Sequence, residues 1–207
     1  MENRVSDKQN FKESPDFAGL KEDVFDWMEA GLPGYLTYHS VDHTKDVLQA
    51  AIRIGQAEGI SESEMGDLKA AAVLHDSGFV VSSKNHEEAS CHVAQEWMPR
   101  YGYHSDSINR VCEMIRATQI PQDPKDHLSE VLCDADLDYL GRDDFWVIAN
   151  RLYEEFKKLG VISNEEEWNR LQLRFFKSHS YFTKTAKNWR NGKKAERLQQ
   201  IHDQVDD

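Results

Sequence analysis

The sequence predicts an all-α protein. Apolar residues recur at helical spacing in segment after segment, and residues that start and stop helices bracket those segments. No stretch keeps the period of two that a half-buried strand requires.

Residues 1–15 are polar and mixed in charge and are expected to fray as a flexible tail. Residues 16–203 are expected to form a single domain. The first helix, 17–30, carries Phe17, Leu20, Val24, Phe25 and Met28 on one stripe and stops at the Gly31–Gly34 turn. The second, 41–58, carries Val41, Val47, Leu48, Ala51, Ile52 and Ile54 and stops near Gly59. Ser61-Glu62-Ser63-Glu64 reads as a capping box opening a third helix that runs to about Asp76. A fourth spans 86–100, stopped around Pro99. Ser105 is expected to cap a fifth, with Ile108, Val111, Cys112 and Ile115 on one face and Pro121 and Pro124 beyond its end. Further helices are expected over about 127–140, 143–159, 164–180 and 183–203. The aromatics of this last third, among them Trp146, Phe156, Trp168, Phe175 and Phe176, lie mostly at helical spacing and read as core.

A chain of 207 residues buries a sizeable core. Its net charge of −12 argues against a broad surface for nucleic acid or anionic membrane, yet leaves room for a small phosphorylated ligand held by a local cation. No apolar run reaches transmembrane length, and the N-terminus lacks a signal-peptide pattern. Cys91, Cys112 and Cys133 are scattered and odd in number, as expected of reduced buried thiols in a cytoplasmic protein.

The chemistry concentrates in three segments. His75-Asp76 follows the apolar run Ala70–Leu74; His43 lies upstream and Asp136 downstream. Two imidazoles and two carboxylates in helical segments suit one divalent transition metal (manganese, iron, nickel, cobalt or zinc) and leave coordination positions open. An Asp76 buried beside that run needs a partner, and a metal ion is one. Neighbours on a helix point about 100° apart, so His75 and Asp76 share an ion only if the helix axis passes beside it. His39 and His43 share a face if both are helical; if Ser40 or Asp42 caps the helix, His39 sits at its mouth.

The order His…His-Asp…Asp resembles the HD domain superfamily of metal-dependent phosphohydrolases. Tyr38-His39-x-x-x-His43 resembles that superfamily's YHxxxH segment. Asp134-Ala135-Asp136-Leu137-Asp138 with Gly141 resembles the DADxLDxLG segment of its small bacterial-type members. The resemblance spans roughly 30 to 185 and implies an HD-domain helical bundle. It implies His43, His75, Asp76 and Asp136 as metal ligands, with Asp134 as the fallback or as an acceptor orienting a histidine N–H. Asp138 is expected at the surface or as a cap.

His86-Glu87, at the start of the fourth helix, resembles an element that such proteins carry near the metal's open face. His86 is a candidate for a second metal, a phosphate contact or a proton relay. Lys84 and Arg142 are candidate phosphate contacts. Lys184, Lys187 and Arg190 either fold back over the pocket or form a solvated face. Thr118 stands where two-metal relatives carry a further histidine, which implies one tightly held metal per chain. His104 and His127 read as surface residues. His39 resembles the histidine that protonates the leaving oxygen in HD-type cyclic-nucleotide phosphodiesterases, and Asp76 is a candidate proton acceptor. The expected function is hydrolysis of a small phosphate ester or anhydride, nucleotide-like in character. The alternatives are an HD-fold iron oxygenase and a non-catalytic sensor binding nucleotide and metal.

Overall fold

The computed structural model describes residues 14–206, so most of the expected N-terminal tail lies outside the described residues. The described residues form helices and no strand. They run α1 (Phe17–Gly31), α2 (Val41–Glu58), α3 (Glu62–Leu74), α4 (His86–Trp97), α5 (Ser105–Ala117), α6 (His127–Asp136), α7 (Phe145–Lys158), α8 (Glu165–Ser178) and α9 (Lys184–Asp206). Single 3-10 turns follow α3, α4 and α6, at Ser77–Val80, Met98–Tyr101 and Asp138–Gly141. No helix among the described residues is long and apolar enough to cross a membrane.

Helix α3 is the centre of the bundle. Its second half, Ala70 to Leu74, is fully buried. The three alanines let neighbouring backbones approach closely, so α1, α2 and α5 pack around it. Helix α1 buries Leu20, Val24 and Met28, spaced by four. Helix α2 lies between α3 and α6 and sends Val47, Ala51 and Ile54 inward. The capping box forms as the sequence predicts, with both Ser61–Glu64 hydrogen bonds present. The C-terminal part wraps the bundle: α9 packs on α8 and on the 138–141 turn. Gly141 makes that contact possible, because a Cβ there would stand 2.5 Å from the Arg190 backbone oxygen.

Among the boundaries that differ from the sequence reading, four bear on the packing or the site. Helix α5 is capped by His104 in extended backbone, with Ser105 as its first helical residue and no side-chain cap bond. Helix α4 ends at Trp97, and Pro99 sits in the 3-10 turn. Helix α3 ends at Leu74 rather than Asp76, and α6 at Asp136 rather than near 140. The last two set the geometry of the site.

Candidate metal centre and adjoining chamber

Asp76 leaves the helix at φ −105°, ψ 2°, in the sparsely populated bridge region where many active-site residues sit. That bend solves the problem of adjacent helical residues, because His75 and Asp76 no longer point 100° apart. The broken helix end is satisfied by serines. Ser77 donates to the Leu74 carbonyl at 2.7 Å, and Ser90 of α4 donates to the His75 carbonyl at 2.7 Å while accepting from Gly78 N–H at 2.8 Å. Asp136 occupies a similar place, the last residue of α6, just before Leu137 bends out at φ −108°, ψ 17°.

Three donor atoms, from His43, His75 and Asp136, form one compact group there, and Asp76 Oδ2 joins it beside the two imidazoles. His43 Nε2 lies 3.1 Å from Asp136 Oδ1 and 3.4 Å from Asp76 Oδ2. His75 Nε2 lies 3.3 Å from Asp76 Oδ2 and 3.6 Å from Asp136 Oδ1. Ligand bonds of about 2.1 Å place neighbouring donors about 3.0 Å apart at right angles and about 3.4 Å apart at the tetrahedral angle. The observed separations match that spacing. His75 Nε2 and Asp76 Oδ2 are buried and have no hydrogen-bond partner, and His75 Nδ1 donates to the Ala72 carbonyl at 2.9 Å, leaving the Nε2 lone pair aimed at the cluster. Orphaned polar atoms in a buried, imidazole-rich and carboxylate-rich pocket fit a divalent ion.

The charges agree. Burial pushes the Asp136 carboxyl up, but His43 and His75 outweigh it and bring it down to about 2. Burial also opposes ionisation of Asp76, and its histidine neighbours His75 and His86 still hold it well below the usual carboxylate range. Both carboxylates are therefore anionic.

Asp134 does something else. It is fully buried and accepts from the backbone N–H groups of Phe182 and Thr183 and from the Thr183 hydroxyl, at 2.8, 2.8 and 2.7 Å. It pins the start of α9 and orients no histidine, contrary to one of the roles expected of it. Asp138 is buried rather than at the surface, because Arg190 of α9 reaches it at 2.6 and 3.0 Å.

His39 stands at the mouth of α2. Ser40 is the N-cap, and its hydroxyl accepts from His43 N–H at 3.4 Å. The His39 ring is gripped from two sides. Its Nδ1 is hydrogen-bonded to Glu155 of α7, which is wholly buried and also accepts the backbone N–H groups of Tyr38 and His39 at 2.8 and 3.1 Å. Phe79 stacks on it at 4.3 Å, and Phe79 also stacks on His86 at 3.9 Å. Burial lowers the His39 pKa, but Glu155 and Asp76 outweigh it and raise the imidazole above its ordinary value. His86 Nε2 faces Asp76 Oδ1 and Glu87 Oε1, each at 3.5 Å. Neither Glu155 nor Phe79 stood out in the sequence; Glu155 carries no local signal, being one of two adjacent glutamates on an amphipathic helix.

The expected phosphate-binding cations are not brought to this cluster. Lys84 is exposed on the loop before α4. The Arg142 guanidinium is bound to Asp46 at 2.8 Å and to Asp144 at 2.6 Å, and lines a separate surface depression with Trp189 and Lys193. Arg190 is held by Asp138, and Lys187 by the Phe182 carbonyl at 2.7 Å. Thr118 lies in the wall of the site but donates to the Ile115 carbonyl at 2.8 Å. His104 and His127 are exposed, as expected, with His127 beside Glu58 and Glu130.

Behind the cluster a cavity of about 300 Å³ runs between α7 and α8. His39, Asp76, His86, Glu87 and Asp136 form its near end. Phe145, Leu152 and Phe156 of α7 and Trp168, Leu171 and Phe175 of α8 form its far end.

Residues 40–139 match the HD domain family, and the YHxxxH, His-Asp and DADLD elements fall within or at the edge of that span. This chain carries an HD domain. No curated protein matches the chain in sequence. A solved structure described as a predicted HD superfamily hydrolase from an uncultured Thermotogales bacterium superposes with a TM-score of 0.60 at 18% identity, covering 89% of this chain and 90% of that one. At that identity the likeness speaks for the all-α fold. Helices α7 and α8, which supply Glu155 and the chamber walls, lie beyond the matched residues of the HD domain.

Proposed function

We propose that this HD-domain protein is a metal-dependent phosphohydrolase acting on a small phosphate ester or anhydride. The observation that carries this reading is the convergence of His43, His75, Asp76 and Asp136, two of their donor atoms buried without partners, beside a third imidazole, His39, tied to a buried carboxylate. His43, His75, Asp76 and Asp136 would hold one divalent transition ion. When bound, such an ion acidifies water and polarises a phosphoryl oxygen.

The chain's own residues then divide the proton work. Asp76, ionised and with its second oxygen turned toward His86, is the acceptor for the proton of the attacking water. His39, its Nδ1 engaged by Glu155, keeps Nε2 for the leaving oxygen, and its raised pKa keeps it protonated nearer neutrality. His86 and Glu87 edge the same opening and serve to position a phosphate oxygen or relay a proton. Hydrolysis breaks the bond between phosphorus and the organic oxygen and forms one to the water oxygen. The proton from water passes to Asp76, and that on His39 passes to the departing alcohol.

Metal analysis with a phosphatase panel tests this. The protein should carry close to one transition metal per chain and release phosphate from at least one small ester, and His39→Ala should keep the metal while losing turnover. A metal-loaded protein that binds phosphate esters and turns none over refutes it in favour of a sensor. Oxygen consumption by iron-loaded protein refutes it in favour of an oxygenase.

A further inference from the structure

The cavity between α7 and α8 joins two unlike environments. Its near end is the anionic cluster with its imidazoles; its far end is walled by aromatic and aliphatic side chains. No lysine or arginine lines it among the described residues. Apart from the indole N–H of Trp168, the buried amide of Gln172 is the one polar group among those that α7 and α8 contribute, and it makes no hydrogen bond among the described residues. A polyphosphate extending into the far end meets aromatic and aliphatic walls and no lysine or arginine. A sugar or nucleobase brings several hydroxyl, ring-nitrogen or amino groups that find one amide and one indole N–H there. Each polar group buried without a partner costs about 1–3 kcal/mol. An apolar group entering the same space loses only water contact, which is favourable.

We propose that this chamber holds the organic half of the substrate, and that this half is a compact hydrocarbon, aromatic or branched aliphatic, with at most one hydrogen-bonding function opposite Gln172. The substrate is then the phosphate monoester of an apolar alcohol or phenol. This rests on the hydrolase reading for the phosphate end, while the chamber assignment stands on its own walls. The volume, about 300 Å³, is at the small end of small-molecule pockets, which suits a ring system or short branched chain and excludes a long acyl tail. Reaction consumes one water and yields the free alcohol in the chamber and inorganic phosphate at the cluster. Specificity therefore resides in α7 and α8, outside the residues that match the HD domain.

Two measurements on the full chain test this separately from catalysis. First, titration with 2-naphthol, with and without manganese, should show saturable binding in both states. Ala149→Leu, which fills the chamber from α7, should weaken that binding at least tenfold at unchanged metal content. Second, in manganese, kcat/KM for 2-naphthyl phosphate should exceed that for glycerol 3-phosphate and adenosine monophosphate at least tenfold, and Ala149→Leu should erase most of that preference. Naphthol binding without turnover of any ester supports the chamber and overturns the hydrolase reading. Equal or better turnover of adenosine monophosphate overturns the chamber assignment and keeps hydrolysis. Absence of naphthol binding overturns the chamber assignment whatever the turnover.

Discussion

Glu155 and His39 are 116 residues apart in the chain and share a buried hydrogen bond at the mouth of the metal centre. The glutamate accepts three N–H groups from the Tyr38-His39 corner, so it fixes both the backbone and the ring. Glu155→Gln keeps an acceptor but removes the charge that raises the His39 pKa. The imidazole should then lose its proton at lower pH, and the alkaline limb of the kcat profile should move to the acid side. The metal content should not change. His39→Ala should lower kcat by about 10²–10⁴-fold, the contribution of a positioned proton donor. A Glu155→Gln profile superimposable on the wild type would remove the dyad from the mechanism.

The two carboxylates of the DAD segment should separate in a metal assay. Asp136→Asn should empty the site, since it removes one of four converging donors and leaves the others buried without a partner. Asp134→Ala should keep the metal and instead cost about 2 kcal/mol of stability, because two backbone N–H groups at the start of α9 lose their acceptor. Elemental analysis and urea unfolding of the same two proteins give both numbers. Metal loss in the Asp134 variant with unchanged stability would reverse the assignment.

The period of 3.6 made the helices legible, because each buries one stripe and that stripe is written in the order of residues. The His-Asp and DAD elements were legible for the same local reason. What was not legible depended on distant partners. No glycine or proline marks the bends after His75 and Asp136; the first depends in part on Ser90, a residue of α4. Asp138 looked solvent-facing until Arg190 arrived from α9, and Arg142 looked free until Asp46, 96 residues away, claimed it. A cation's role is set by all the carboxylates that fold against it, and chain order shows only the local one, as Asp144 is for Arg142.

His179 should make stability sensitive to mild acid. Its ring nitrogens are buried without hydrogen-bond partners, with Phe175 stacked on it at 5.8 Å. Burial, reinforced by nearby Lys194, pushes its pKa down to about 3. An unfolded histidine titrates near 6.5, so between about 6.5 and 3 the unfolded chain binds the proton and the folded chain does not. The contribution is intact above that window and is lost as pH falls through it. From pH 7 to pH 5 the wild type should lose about 2 kcal/mol more than His179→Phe. Urea midpoints at the two pH values decide it: parallel losses in both proteins would show that His179 is protonated or solvated in the native state.

Gly78, two residues after Asp76, is the tightest contact near the site. A Cβ there would stand 2.0 Å from the His86 carbonyl oxygen and 2.6 Å from Ser90 N, both on α4. These are backbone atoms, so no rotamer relieves the overlap and α4 itself must move. Gly78→Ala should therefore destabilise the protein by about 1–3 kcal/mol, the range for overpacking. The displacement also carries His86 and Glu87 away from the opening and loosens the Ser90–His75 hydrogen bond, while leaving His43 on α2 and Asp136 on α6. Activity should fall more than metal content, and the two should be measured on the folded fraction at low temperature. If both fell together, the ligand cluster and α4 would have to move as one body, and the division of labour between them would be wrong.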